Sequence, residues 1–69
     1  MNFVPVSSSN LSAVAYDAAT QTLYIRFRSS GTYAYFNVPA TVHQALMNAG
    51  SHGEYHAAFI KNRYSYRRV

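Results

Sequence analysis

The chain has 69 residues, six Lys or Arg against two Asp or Glu for a net charge of +4, three His and no Cys. Such a length holds one domain, near the size at which a single core only just stabilises a fold, and the lack of Cys excludes disulfides, cysteine-rich zinc sites and thiol nucleophiles. The two acids, Asp17 and Glu54, are too few for the paired-carboxylate or carboxylate-oriented His chemistry most acid–base enzymes use, so the chain is read as non-enzymatic.

The start, Met1 to Val6, has neither the basic opening nor the apolar run of a signal peptide, and no stretch nears the roughly 18 apolar residues of a membrane span. The expectation is a cytoplasmic protein with no membrane association. Residues 1–9 read as a flexible lead-in, Ser7-Ser8-Ser9-Asn10 as the polar run that leads into the first ordered element, and the whole of 1–69 as one domain.

The first strand is predicted over Leu11–Tyr16, ending in a turn that Asp17 opens by bonding nearby backbone N–H groups. Thr22 to Arg28 alternates strictly, with Leu23, Ile25 and Phe27 on one face and Tyr24, Arg26 and Arg28 on the other, the pattern of a half-buried strand. Ser29-Ser30-Gly31 then leads to a third strand over Thr32–Val38. A three-residue loop with Gly31 last pairs Arg28 with Thr32, Phe27 with Tyr33 and Ile25 with Tyr35. A two-residue Ser30-Gly31 turn would instead slip the register by one and send both tyrosines to the other face.

Pro39 suits the start of a helix, and Val42, Ala45, Leu46 and Ala49 follow at helical spacing before Gly50, predicting about three turns. Ser51 and Glu54 are spaced as a capping box, so a second helix starts there, with Tyr55, Phe59 and Asn62 on one side. The fold class is therefore α+β: a three-stranded antiparallel meander followed by one or two helices packed on the face of Leu23, Ile25 and Phe27.

The tail 61–69 holds four of the six basic residues, Lys61, Arg63, Arg67 and Arg68, interleaved with Tyr64 and Tyr66 in an extended pattern. Cations serve phosphates and tyrosine rings serve bases, so this tail, extended by Arg26 and Arg28, is the candidate surface for RNA or a nucleotide. Its plainer reading is a solubilising terminus. Tyr24 and Phe36 join Arg26 and Arg28 on the sheet face away from the core, where they form the candidate interface for a protein partner or another copy of the chain; ordinary edge protection is the plainer reading there. His52 and His56 are four apart, a spacing used by metal ligands, but two ligands do not make a site; they read as surface histidines, and no metal or cofactor is expected.

Taken in order, Ser8-Ser9-Asn10-Leu11, Ala15-Tyr16-Asp17, Leu23-Tyr24-Ile25-Arg26-Phe27, Gly31-Thr32-Tyr33-Ala34-Tyr35 and Val38-Pro39 resemble the KTSC domain family over nearly the whole chain. Leu46, Ala49, the Ser51-x-Gly53-x-Tyr55 stretch, Ile60, Arg63-Tyr64 and Tyr66-Arg67-Arg68 continue the likeness. That family occurs at the C-terminus of some lysyl-tRNA synthetases and as small stand-alone bacterial and phage proteins, and Tyr33 and Tyr35 match its central Tyr-x-Tyr element. Ala15, where the family often has Gly, and Phe36-Asn37, without a turn Gly, depart from it. The resemblance implies the fold and, through the synthetase attachment, RNA binding. A stand-alone protein that sequesters a nucleotide signal between subunits is a variant of the same expectation, and oligomerisation is left open.

Overall fold

The structure is a computed structural model describing residues 2–69. Its sheet has five antiparallel strands in chain order: β1 (Val4–Pro5), β2 (Leu11–Asp17), β3 (Thr22–Phe27), β4 (Gly31–Tyr35) and β5 (Tyr66–Arg68). The three-strand expectation is two strands short, because the lead-in and the tail each supply a short edge strand. Val4–Pro5 pairs with Val14–Ala13, and Tyr66–Arg68 pairs with Tyr35–Tyr33. Both were hard to see because two or three residues carry too little alternation to register as strands.

The central meander follows the alternation. Val14 and Tyr16 of β2, Leu23 and Ile25 of β3, and Tyr33 and Tyr35 of β4 align on one face. A bulge between Leu11 and Ala13 consumes one residue, which returns Leu11 to that same face opposite Phe27. Asp17 accepts a hydrogen bond from the Ala19 N–H at 3.1 Å and opens the β2–β3 turn as expected.

The β3–β4 register differs from the expected one. Ile25 pairs with Tyr33, Leu23 with Tyr35, and Phe27 with Gly31, not Phe27 with Tyr33 and Ile25 with Tyr35. The loop falls one residue earlier, over residues 28–30, because Gly31 enters the ladder itself at φ 94, a conformation open to glycine. The slip is by two positions, so both tyrosines keep the predicted face.

Helix α1 (Ala40–Asn48) begins after Pro39 at the N-cap and buries Leu46. Helix α2 (His52–Tyr55) begins at Ser51, whose hydroxyl accepts the Glu54 N–H, and runs on as a π-helical turn over His56–Ile60. Tyr55 and Phe59 do share a side, their ring centroids 4.8 Å apart, but Phe59 is 47% exposed and the residues turned inward are His56 and Ile60. Leu46 and Ile60 close over Leu11, Val14, Leu23, Ile25, Tyr35 and Val38 to make the core. The Tyr16 hydroxyl ties β2 to the Val38 carbonyl, and its ring stacks on His43 at 4.6 Å.

Candidate functional site: an aromatic cleft beside the helices

A cleft of about 330 Å³ opens where α2 and its π-turn diverge from the β3–β4 end of the sheet. Strand alternation supplies its aromatic wall: Phe27, Tyr33, Tyr35 and Tyr66 all belong to the helix-side face of their strands. Tyr66 packs against Tyr33 at 5.8 Å and Tyr35 at 5.5 Å between centroids, and Phe27 meets Tyr33 edge-on at 5.7 Å. On the opposite wall Gly53, Ala57 and Lys61 recur every four residues, so this stretch turns its smallest side chains toward the opening and sets an ammonium at its rim.

His56 lies at the base. It is 8% exposed, its Nε2 shares a 2.8 Å hydrogen bond with the Tyr35 hydroxyl, and its ring meets Phe27 and Tyr35 edge-on at 5.0 and 5.5 Å. Burial, with a smaller contribution from Lys61, holds the imidazole below its ordinary pKa. Burial, and then the neighbouring Tyr66 and Tyr33, push the Tyr35 phenol up to about 12. Both groups are therefore neutral at pH 7, and their bond joins two uncharged partners.

The predicted basic surface is divided between regions. Alternation in β5 sends Tyr66 and Arg68 to the helix side and Arg67 to the opposite face, alongside Arg26 and Tyr24. The Arg68 guanidinium lies against Gly31, where a Cβ would come within 3.2 Å of it, beside the Ser29-Ser30 edge of the cleft. Arg28 donates from Nε to the Ser8 carbonyl at 2.8 Å and fastens the β3–β4 loop to the N-terminal segment. Arg63 is exposed along a shallow depression lined by residues 61–66, and Tyr64 packs partly buried against the core.

On the other face no helix packs among the described residues. Ala13, Ala15 and Ala34 are buried there among larger neighbours, Tyr24 is half-buried, and Arg26 lies over the Phe3 ring at 4.1 Å. Phe36 directly follows β4, half-buried, with its N–H donated to the Ser65 carbonyl.

The histidines do not gather. His52 Nδ1 pairs with the Leu46 carbonyl at 2.8 Å at the end of α1, His43 stacks on Tyr16, and His56 is enclosed in the cleft. The reading of His56 as a surface residue is thereby corrected. A usable signal was present, since His56 and Ile60 are spaced i, i+4 as an inward stripe.

The KTSC domain family model matches residues 7–64. The chain is 43% identical over 61 residues to a lysine–tRNA ligase of Nostoc sp., covering 88% of this chain but 11% of the ligase, so it spans about a tenth of that relative. It is 40% identical to a protein of Tsukamurella paurometabola, covering 87% of this chain and 90% of that one. The crystal structure of a KTSC domain protein from Yersinia pestis superposes with a TM-score of 0.97 at 38% identity, over 99% of this chain and 96% of that one. With the family model matching residues 7–64 and the whole five-strand sheet and helix pair superposing on a KTSC domain protein, the chain is a member of the KTSC domain family.

Proposed function

We propose that this domain is a non-catalytic binding module for a nucleotide unit, either free or carried in single-stranded RNA, and that the cleft of Tyr33, Tyr35, Tyr66 and His56 receives its base. The carrying observation is the combination of convergent aromatic rings with cations at the rim. Phe27, Tyr33, Tyr35 and Tyr66 line an open cleft at the lower end of the size range for small-ligand pockets, with Lys61 in its lining and Arg68 against Gly31, next in the chain to the Ser29-Ser30 edge, as the cations nearest a phosphate. A Tyr35 phenol pushed up to about 12 keeps its proton at pH 7, which suits a wall of a binding cleft better than a nucleophile. Arg28 and Arg63 extend the cationic surface for a longer chain, and the lysine–tRNA ligase relatives supply a setting in which RNA is near.

The test is a thermal-shift screen with mono-, di- and cyclic nucleotides and short single-stranded RNAs at low and moderate salt. A ligand at 100 times its Kd raises stability by about 2.7 kcal/mol. Shifts from free nucleotides assign a small-ligand module; shifts from RNA alone, falling steeply with salt, assign an RNA module. No shift from either removes the reading.

A second reading is favoured by the other sheet face, where Tyr24 and Phe36 stand half-buried and no helix packs over them among the described residues. There the domain pairs with a partner chain or a second copy, and replacing Tyr24 or Phe36 by Ala abolishes an association that survives high salt.

A further inference from the structure

The aromatic cleft does not end at α2. A second cleft, of about 430 Å³, adjoins it and shares Asn10, Gly53 and Ala57 as a common floor. Its own walls are of another chemistry: Ser7, Ser8 and Ser9 on the N-terminal segment, and Ser51 and Glu54 on the start of α2. The Asn10 and Ser8 side chains lie against Gly53, at 3.6 to 3.9 Å from where its Cβ would stand, so the two halves meet over the exposed methyl of Ala57 and not over Gly53.

The halves differ in charge as well as shape. Lys61 stands beside the aromatic rings, whereas Glu54 is the charged group of the serine-rich half. A carboxylate there repels phosphate and accepts hydrogen bonds from hydroxyls. Among the described residues Ser7 and Ser9 make no side-chain hydrogen bond within the chain, while Ser8 and Ser51 accept backbone N–H groups and keep their own hydroxyl protons to donate. A donor-and-acceptor wall next to a carboxylate matches a polyol: it can satisfy both faces of a sugar hydroxyl, which an aromatic wall cannot.

The geometry points to a two-part ligand, a nucleotide bearing a second, phosphate-free sugar: the base seated among Tyr33, Tyr35 and Tyr66, the phosphates beside Lys61, and the distal sugar among Ser7, Ser9 and Glu54. This rests on the nucleotide reading of the aromatic cleft and adds the substrate class. The exposed Ala57, one step of four residues from Lys61, is where the diphosphate linking the two units crosses, and the Glu54 carboxylate sets the orientation by keeping that diphosphate on the Lys61 side.

The experiment compares ADP-ribose with ADP, and UDP-glucose with UDP, by calorimetric titration on the full chain, the wild type beside the Ser7→Ala/Ser9→Ala double variant. In one of the two pairs the sugar-bearing nucleotide is expected to bind about tenfold more tightly, equivalent to about 1.4 kcal/mol. The double variant, with an unchanged melting temperature in the absence of ligand, is expected to lose that margin while keeping its affinity for the plain diphosphate. Equal affinity for both members of each pair overturns the sugar subsite and leaves the nucleotide reading standing. A margin that survives in the double variant overturns the assignment to these serines. No binding of any of the four overturns the two-part ligand together with the free-nucleotide form of the proposed function, and leaves the RNA form to the thermal-shift screen.

Discussion

The two faces of the sheet are made by the same strands and differ by a single step of alternation, yet they are built on opposite principles. The helix side takes Leu23, Ile25, Tyr33 and Tyr35, closes most of them under Leu46 and Ile60, and lets the aromatic surplus spill out as a cleft. The other side buries its small residues, Ala13, Ala15 and Ala34, beneath flanking side chains such as Tyr24 and Arg26, without a covering element among the described residues. In a domain this small one covered face must provide most of the hydrophobic stabilisation, and the aromatic cleft is the continuation of that same packing. Core and candidate site are thus one structure, from which the open face stands apart.

The largest contrast should therefore come from truncation. Leu46→Ala is expected to lose about 2–5 kcal/mol, a large part of the stability of a small domain, while Tyr24→Ala on the open face loses about 1 kcal/mol or less; denaturant titration of both measures the gap. Tyr35→Phe keeps the ring but removes the hydroxyl from His56, leaving a nearly buried ring nitrogen without its partner, and should cost about 1–3 kcal/mol in the same assay.

Gly31→Ala tests the start of β4 on the helix side, where the Arg68 guanidinium lies against the backbone. At φ 94, with Arg68 within 3.2 Å of the new methyl, it should cost about 1–2 kcal/mol and displace the guanidinium from the cleft edge, weakening nucleotide binding along with stability. A fall in melting temperature with unchanged ligand affinity would separate Arg68 from the site.

A smaller effect is expected with pH. His56 and His43 have folded pKa values lowered by burial, so the unfolded chain binds more protons as pH falls. The stability they contribute is full above the ordinary histidine value near 6.5, about where the unfolded groups titrate, and is lost as pH falls through it toward the lower folded values. Tyr35 acts oppositely: its contribution is full below about 10 and is lost as pH rises toward about 12. Melting curves from pH 4 to 11 check both limbs, and His56→Gln should flatten the acid limb. The smallest effect belongs to Arg26→Ala, within about 0.5 kcal/mol, since the group is exposed on the open face.

The strictly alternating segment from Thr22 and the Leu46 helix were legible because each buries one face over several periods. The edge strands were not, since Val4–Pro5 and Tyr66–Arg68 gain their identity from partners far away in sequence. The tail was read as one surface although its own extended alternation parts Arg67 from Arg68; pairing to β4 then decides that Arg68 takes the helix side and Arg67 the other. Tyr33 and Tyr35 were placed on the correct side because face depends on parity, which survived a register error of two. His56 was misread because its i, i+4 spacing was matched to His52, whereas the inward pair with the same spacing is His56 and Ile60.

The most direct measurement is a titration of the isotopically labelled chain with ADP and with a short single-stranded RNA, following backbone amide resonances. Saturable shifts concentrated at Tyr33, Tyr35, His56, Lys61 and Tyr66, with Tyr24, Arg26 and Arg67 unmoved, are the predicted result. Shifts confined to the open face, or none with either ligand, would contradict the assignment of the aromatic cleft as the binding site.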